Sequence, residues 1–381
     1  MHKDTVYLDY AAATPLDKEV LEVMLPYFNG AFYNPSADYS LARTVKQRFE
    51  AARSDVAYLL GAKAGEIVFT AGATEANNLA IKGVMEQYPK ARCLISAVEH
   101  QSVLAPASGY NCQSVRVDHE GRIDLDDLKR KLTDDVVLVS IMYVNNEVGT
   151  VEPLKEAAAI IKDIRTERLN KQKPLPLILH SDACQAANYL DLHTARLGVD
   201  LMSLNGGKIY GPKQSGALYV RSGVRLKPQI DGGGQEMGLR SGTENVAGAI
   251  GFSISLSKAQ TMRTAEAERL RNLRDYFISR LNIDFPRAVI NGSIKFRIPN
   301  NLHVTFPDQD NERLLIKLDQ LGIMAAAGSA CSAAKQEPSH VLRAMGISDG
   351  DARSSLRLSL GRSTTKSDID RTIDALKRII S

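Results

Sequence analysis

The sequence predicts an α/β fold, a mostly parallel central sheet with helices on both faces, followed by a smaller α+β C-terminal domain. Two observations predict it. Through the first two thirds of the chain, short apolar runs alternate with stretches long enough for a helix, the rhythm of parallel βαβ units. After about residue 260 that rhythm gives way to longer helices and isolated strands.

The elements follow in order. Thr44–Leu60 sets Val45, Phe49, Ala52, Val56 and Leu59 at helical spacing, and Gly61 stops it. Glu66–Thr70 reads as a buried strand, and a helix opens at Gly72 and runs to about Met85. Further strands are expected at Arg92–Ala97, Val136–Tyr143, Leu177–His180, Asp200–Leu204 and Ala217–Val220. A charged helix spans Lys258 to about Ile283. It precedes a strand at Leu302–Phe306, a helix at Asn311–Leu321 and the small-residue stretch Met324–Ala334. A helix at Ser339–Met345, a strand at Ser355–Leu360 and a last helix from Ser367 complete the chain. Thr166–Pro176, polar and bounded by proline, reads as a surface loop.

Composition excludes several classes. The 381 residues are 44% hydrophobic and 24% charged, ordinary for a globular protein that buries a core without disulfides. A net charge of +4 forms no concentrated basic face, so direct nucleic-acid binding is not expected. The N-terminus lacks the pattern of a signal peptide, and no run approaches the ~20 apolar residues of a membrane span. The four cysteines, Cys93, Cys112, Cys184 and Cys331, show no CxxC spacing. Cys93, in the apolar run Arg92–Val98, reads as an inert core residue. A reducing cytoplasm is the default setting, where a singled-out cysteine is a thiol more often than half a disulfide.

In open α/β sheets a ligand sits beyond the carboxyl ends of the strands, so the polar residues there carry the functional reading. Gly72-Ala73-Thr74 offers helix N–H groups and a hydroxyl, a phosphate seat, although a plain cap at Thr74 reads equally from the residues. His100 can stack on an aromatic ring or shuttle protons, or can simply cap a helix. Asn145-Asn146-Glu147 follows the strongest strand, where tandem amides and a carboxylate are costly to bury without partners, which favours a ligand site over a core and leaves a solvent-exposed turn as the alternative. Asp182, in His180–Gln185, is placed to hold a protonated ring nitrogen. The His180 and Cys184 pair has metal-ligand spacing but no further soft ligand near it, so no metal is expected. Lys208, in a glycine-flanked turn, can form a Schiff base when its surroundings lower its pKa, and as a bare loop lysine it would do nothing. Cys331 lies in a run of tiny residues suited to a thiol that must swing, or to a tightly packed helix with a buried cysteine. Arg357, in an apolar strand, wants a carboxylate, from a substrate or from a structural ion pair.

These motifs together resemble the cysteine desulfurases of the class V aminotransferases. The likeness runs from Tyr7-Leu8-Asp9-Tyr10-Ala11-Ala12 to Arg357-Leu358-Ser359-Leu360-Gly361. It is carried most specifically by FTAGATEANNLAIKG, SIMYVNNEVG, HSDACQ, KIYGPK, GLRSGTENV and GSACSAAKQEPSHVLRAMG. The resemblance implies a homodimer of fold type I architecture with a seven-stranded-type central sheet and pyridoxal 5'-phosphate as cofactor. It divides the chain into a large cofactor-binding domain, 15–258, and a small domain, 1–14 with 259–381, that carries the cysteine loop.

Position by position, Lys208 resembles the Schiff-base lysine, His100 the histidine stacked on the ring, and Asp182 the partner of the pyridine nitrogen. Gln185 resembles the contact to the ring hydroxyl and Asn146 the asparagine on the cofactor and substrate side. Ala73 and Thr74 match the phosphate seat, and Thr243 matches a phosphate contact donated by the second subunit. Arg357 resembles the arginine for the substrate carboxylate and Cys331 the nucleophile that takes the sulfur. The implied reaction converts L-cysteine to L-alanine and passes the sulfur from Cys331 to an acceptor or iron–sulfur scaffold protein.

The chain departs from the family where Ser-Gly-His-Lys is usual and Asn205-Gly206-Gly207-Lys208 stands, replacing a hydroxyl and an imidazole that bind phosphate. Weaker cofactor retention is expected, by roughly 1.5–3 kcal/mol per lost hydrogen bond to a charged group. Asn34-Pro35-Ser36-Ala37-Asp38-Tyr39 also lacks a histidine usual there. Two other readings share these residues: a selenocysteine lyase, and a catalytically weakened homologue acting as an assembly partner, which Asn205 and Gly207 keep open.

Overall fold

The computed structural model describes residues 5–172, 175–328 and 338–380. A short first strand, β1 (Val6–Tyr7), is followed by the seven strands of the main sheet. These are β2 (Ile67–Thr70), β3 (Arg92–Ser96), β4 (Cys112–Val115), β5 (Val136–Ser140), β6 (Ile178–Asp182), β7 (Leu201–Asn205) and β8 (Gly216–Val220). Their order across the sheet is β2-β8-β7-β6-β5-β3-β4. β8 runs antiparallel to both of its neighbours, and the remaining pairs are parallel. The carboxyl ends of β2, β3, β5, β6 and β7 therefore share one edge.

Every residue of β2, β5 and β8 is buried, which is why these strands read as unbroken apolar runs rather than as alternations. Successive side chains still face opposite ways. Leu94, Val139, Leu179 and Met202 pack into one core with helices Ser40–Leu60 and Val246–Asp284. Cys93, Leu138, Ile178 and Leu201 pack into a second core with helices Ala73–Met85 and Gln101–Ala107. Helix Ser40–Leu60 ends at Gly61, whose φ of 64° is the left-handed conformation that glycine accepts most readily.

Three expectations are corrected. Residues 166–170 are the last turns of helix Leu154–Asn170, not a loop. Arg168 is buried there, and its guanidinium donates to the carbonyls of Thr133, Val136, Leu175 and Pro176, tying a polar helix end to the sheet. The charged helix begins at Val246 rather than Lys258, capped by the side chain of Asn245. Its first turns are small and buried on all sides, so no amphipathic stripe marks them. Cys93 is buried as expected but is not a free thiol. It faces Cys112 at a register position of β3 and β4, with Cα atoms 4.5 Å apart, and the two form a disulfide.

The C-terminal part builds a second, antiparallel sheet from β9 (Val289–Ile290), β10 (Asn301–Thr305) and the later strand β12 (Ser355–Ser359), in the order β12-β10-β9. Between them lies β11 (Ile323–Met324), which pairs in parallel with β1. Asp9 bridges to Ser359. The residues after β1 thus leave the small sheet and cross to the carboxyl edge of the large one. Among the described residues, no helix is long and apolar enough to cross a membrane.

Candidate active site

At the carboxyl edge of the main sheet lies a cavity of about 260 Å³. Ala73, Thr74, His100, Asn146, Asp182, Gln185, Asn205, Lys208 and Arg357 all line it, brought there by six separate segments of the chain. Thr243 is exposed and outside this cavity. Cys331 lies outside the described residues.

Lys208 follows β7 in a short 3₁₀ turn. Its Nζ donates to the carbonyls of Ala11 and Ala12, at 3.0 and 2.6 Å, and Asn188 donates to its own carbonyl at 2.7 Å. Burial pushes the Lys208 ammonium below its ordinary pKa, with the nearby Arg357 charge acting in the same direction. A lysine held this way has more of the neutral amine that attacks a carbonyl carbon. Gln185 also donates to the Ala11 carbonyl, at 2.9 Å. The N-terminal crossing segment therefore forms one wall of the cavity.

Asp182 closes β6 and is only 6% exposed. Its Oδ1 accepts from the Cys184 N–H at 3.0 Å and its Oδ2 from the Asn77 side-chain amide at 2.8 Å. His100 caps helix Gln101–Ala107 with Nδ1, which accepts from the Ser102 N–H at 3.1 Å, and it faces the cavity as well. The capping and the site readings thus hold at once. Burial pushes its pKa down, which favours the neutral imidazole.

Asn145 is buried and structural: its amide donates to Val98 and its carbonyl accepts from the N–H groups of Glu147 and Val148. That turn leaves the Asn146 side chain to the cavity. Glu147 points the other way, accepting from the Ser339 hydroxyl at 2.5 Å. Arg357, in β12, is 2% exposed and joins the two sheets, donating to Asp9 at 2.6 Å and to the Asn146 carbonyl at 3.1 Å.

At the opposite end, Gly72 with φ 129° turns the chain from β2 into helix Ala73–Met85, and no side chain caps that helix. The cap position is Gly72, not Thr74. The first N–H groups of the helix stay open beside Thr74 and Asn205, as an anion requires. Asn205 spends its Oδ1 on the Gly207 N–H at 2.9 Å, which leaves its amide hydrogens as the donors it can offer.

Sequence reasoning missed Asn77, Ser102, and the carbonyls of Ala11 and Ala12. Asn77 lies on helix Ala73–Met85, inside the motif that carried the resemblance. Backbone carbonyls carry no sequence signal. His180, paired with Cys184 as a spacing, is buried between the hydroxyls of Ser140 and Ser203, at 2.9 and 3.0 Å, and does not line the cavity.

The model of the family described as aminotransferase class-V matches residues 6–372, and the chain belongs to that family. A protein of Dictyoglomus turgidum named cysteine desulfurase IscS is 43% identical, over 99% of this chain and 95% of its own length. One of Archaeoglobus fulgidus named cysteine desulfurase IscS 1 is 39% identical, over 98% and 96%. The solved structure of a NifS-like protein from Rickettsia africae superposes with a TM-score of 0.88 at 30% identity, covering 99% of both chains. These full-length likenesses set the chain among the cysteine desulfurases of its family.

Proposed function

We propose that this enzyme is a pyridoxal-phosphate-dependent cysteine desulfurase. It converts L-cysteine to L-alanine and captures the sulfur as a persulfide on Cys331. The observation that carries the reading is the convergence of an amine, a buried carboxylate, an imidazole and a guanidinium on one cavity.

The donor set fits the cofactor. Asp182 would hold its ring nitrogen, Gln185 its ring hydroxyl and His100 its ring face. Ala73, Thr74 and Asn205 would hold its phosphate, joined by Thr243 of the partner subunit in a homodimer. When bound, pyridoxal phosphate supplies an aldehyde for an amine and a ring that draws electrons from the substrate α-carbon.

The chain's own groups do the rest. Lys208, as free amine, takes the α-proton on Nζ and returns a proton to carbon. Arg357 and Asn146 orient the substrate carboxylate. The Cys331 thiolate attacks the substrate sulfur: a sulfur–sulfur bond forms as the β-carbon–sulfur bond breaks, and that electron pair ends in the methyl group of alanine. The transferred sulfur is oxidised and the β-carbon is reduced by the same two electrons. The persulfide then passes to an acceptor, for iron–sulfur cluster assembly or thiolation, in the cytoplasm.

The test is the absorbance spectrum of the purified protein with pyridoxal phosphate, then with L-cysteine, alongside alanine assay. A band at roughly 390–420 nm, lost in Lys208→Ala and changed by cysteine, is expected for the bound cofactor. Alanine should form in the parent and not in Cys331→Ala under turnover with a thiol acceptor. Absence of the band with excess cofactor overturns the reading and favours the assembly-partner role.

A further inference from the structure

We propose that Asn77 is a positioning residue that sets the tautomer of His100, placing its proton on Nε2. Asn77 is fully buried on helix Ala73–Met85, and its one side-chain amide nitrogen has two protons. One goes to Asp182 Oδ2 and the other to Ser102 Oγ, each at 2.8 Å. The orientation of the amide has no alternative, since its oxygen cannot be turned against the Asp182 carboxylate without repulsion.

The rest follows by donor and acceptor count. Ser102 Oγ accepts from Asn77 and has one proton left to give. Its other neighbour is His100 Nδ1, at 2.8 Å. The Ser102 N–H also points at Nδ1, at 3.1 Å. Two donors aimed at Nδ1 exclude a proton there, so a neutral His100 carries its hydrogen on Nε2. Among the described residues Nε2 has no hydrogen-bond partner, and the imidazole lines the cavity. His100 therefore presents a proton donor to bound groups, and proton removal is left to Lys208. Asn77 Oδ1 is buried without a partner, a cost retained where the other half of the amide joins two functional groups.

The inference rests on the proposed function for its kinetic consequence but not for its structural one. The measurement is a long-range proton–nitrogen correlation spectrum of the full-length protein labelled with nitrogen-15 histidine and saturated with pyridoxal phosphate. With seven histidines, the His100 signals are assigned by their loss in His100→Gln. The parent should show Nδ1 unprotonated and Nε2 protonated. In Ser102→Ala, which leaves the Asn77–Asp182 bond intact, and in Asn77→Leu, the Ser102 N–H remains the one fixed donor on Nδ1, and the two nitrogens should move part of the way toward averaged shifts. Alanine formation should fall in kcat by roughly tenfold or more at unchanged KM for cysteine. Ser102→Thr, which keeps the hydroxyl, should restore both. A protonated Nδ1 in the parent, or an unchanged tautomer in both variants, overturns the proposal. A parent that forms no alanine but shows the Nε2 proton sinks the desulfurase reading and supports the tautomer assignment.

Discussion

Arg357 Nη2 lies 2.6 Å from Asp9 Oδ1, an ion pair between residues 348 positions apart in the chain. Asp9 is on the crossing segment on which Ala11 and Ala12, two and three residues further on, accept from Lys208. The pair therefore couples the guanidinium in the small sheet to the wall that holds the lysine. Arg357 is both a structural ion-pair member and a cavity-lining cation, with Nη1 on the carbonyl of Asn146.

Removing that guanidinium should weaken substrate binding more than cofactor binding. Arg357→Leu is expected to raise KM for L-cysteine by roughly 10- to 100-fold, the equivalent of losing one or two charge-assisted hydrogen bonds. Arg357→Lys should recover part of this, because a point charge cannot reproduce the planar fork. Steady-state kinetics with the cofactor band recorded in parallel checks it, and an unchanged KM removes Arg357 from the substrate site.

The proposed phosphate seat can be refilled. A Cβ at Gly207 would lie 3.4 Å from Asn205 Oδ1 and 3.6 Å from Lys213 Cδ, ordinary contacts that admit a side chain. Gly207→His and Asn205→Ser should each tighten pyridoxal phosphate by about tenfold, one charge-assisted hydrogen bond apiece. Titration of the apoprotein with cofactor gives the dissociation constants directly. Equal constants in parent and variants would show that these positions do not meet the phosphate.

Glu147 meets both described ends of the stretch that carries Cys331. Ser339 donates to its Oε2 at 2.5 Å, and a Cβ at Gly328 would come within 3.1 Å of the same oxygen. Ser339→Ala leaves a buried carboxylate with no side-chain donor among the described residues, so a loss of roughly 1–3 kcal/mol of stability is expected. It should also slow persulfide formation on Cys331, followed by mass spectrometry after a single addition of cysteine. Ser339→Thr should behave as the parent, and equal rates in all three proteins would separate Glu147 from sulfur transfer.

Acid should destabilise the fold through a residue away from the cavity. Burial between Ser140 and Ser203 pushes His180 down to about 4. The unfolded chain takes up this proton near pH ~6.5 while the folded one does not, so stability falls as pH drops from about 6.5 toward 4. The share of this one group is at most roughly 3 kcal/mol. Urea unfolding at pH 7 and pH 5 measures it. His180→Gln should flatten the difference, and an undiminished acid loss would place the proton uptake elsewhere, His303 being pushed down to about 3 by its own burial.

Much of the site was legible because it follows strand ends. Once β2, β3, β5, β6 and β7 are recognised as running in one direction, Thr74, His100, Asn146, Asp182 and Lys208 must gather at one edge, since each closes its strand or follows it. Errors arose where the local pattern carried less than the surroundings. Residues 166–170 look like loop because their helix is polar, and it holds through Arg168 bonding to carbonyls of other segments. Val246–Leu256 carries no stripe because it is enclosed on every side.

What the sequence determined by itself was the alternation that specifies the sheet and the chemical type of each residue at its carboxyl edge. Both are short-range properties, set by side-chain periodicity of two or 3.6 residues and by which groups can bear charge. Tertiary structure alone decided which of those residues share donors and acceptors. Asp9 with Arg357, Asn77 between Asp182 and Ser102, Lys208 on the Ala11 and Ala12 carbonyls, and Cys93 with Cys112 are each joined across separate segments of the chain. Hydrogen bonds act over about 3 Å and are indifferent to separation along the chain, so only packing brings their partners together.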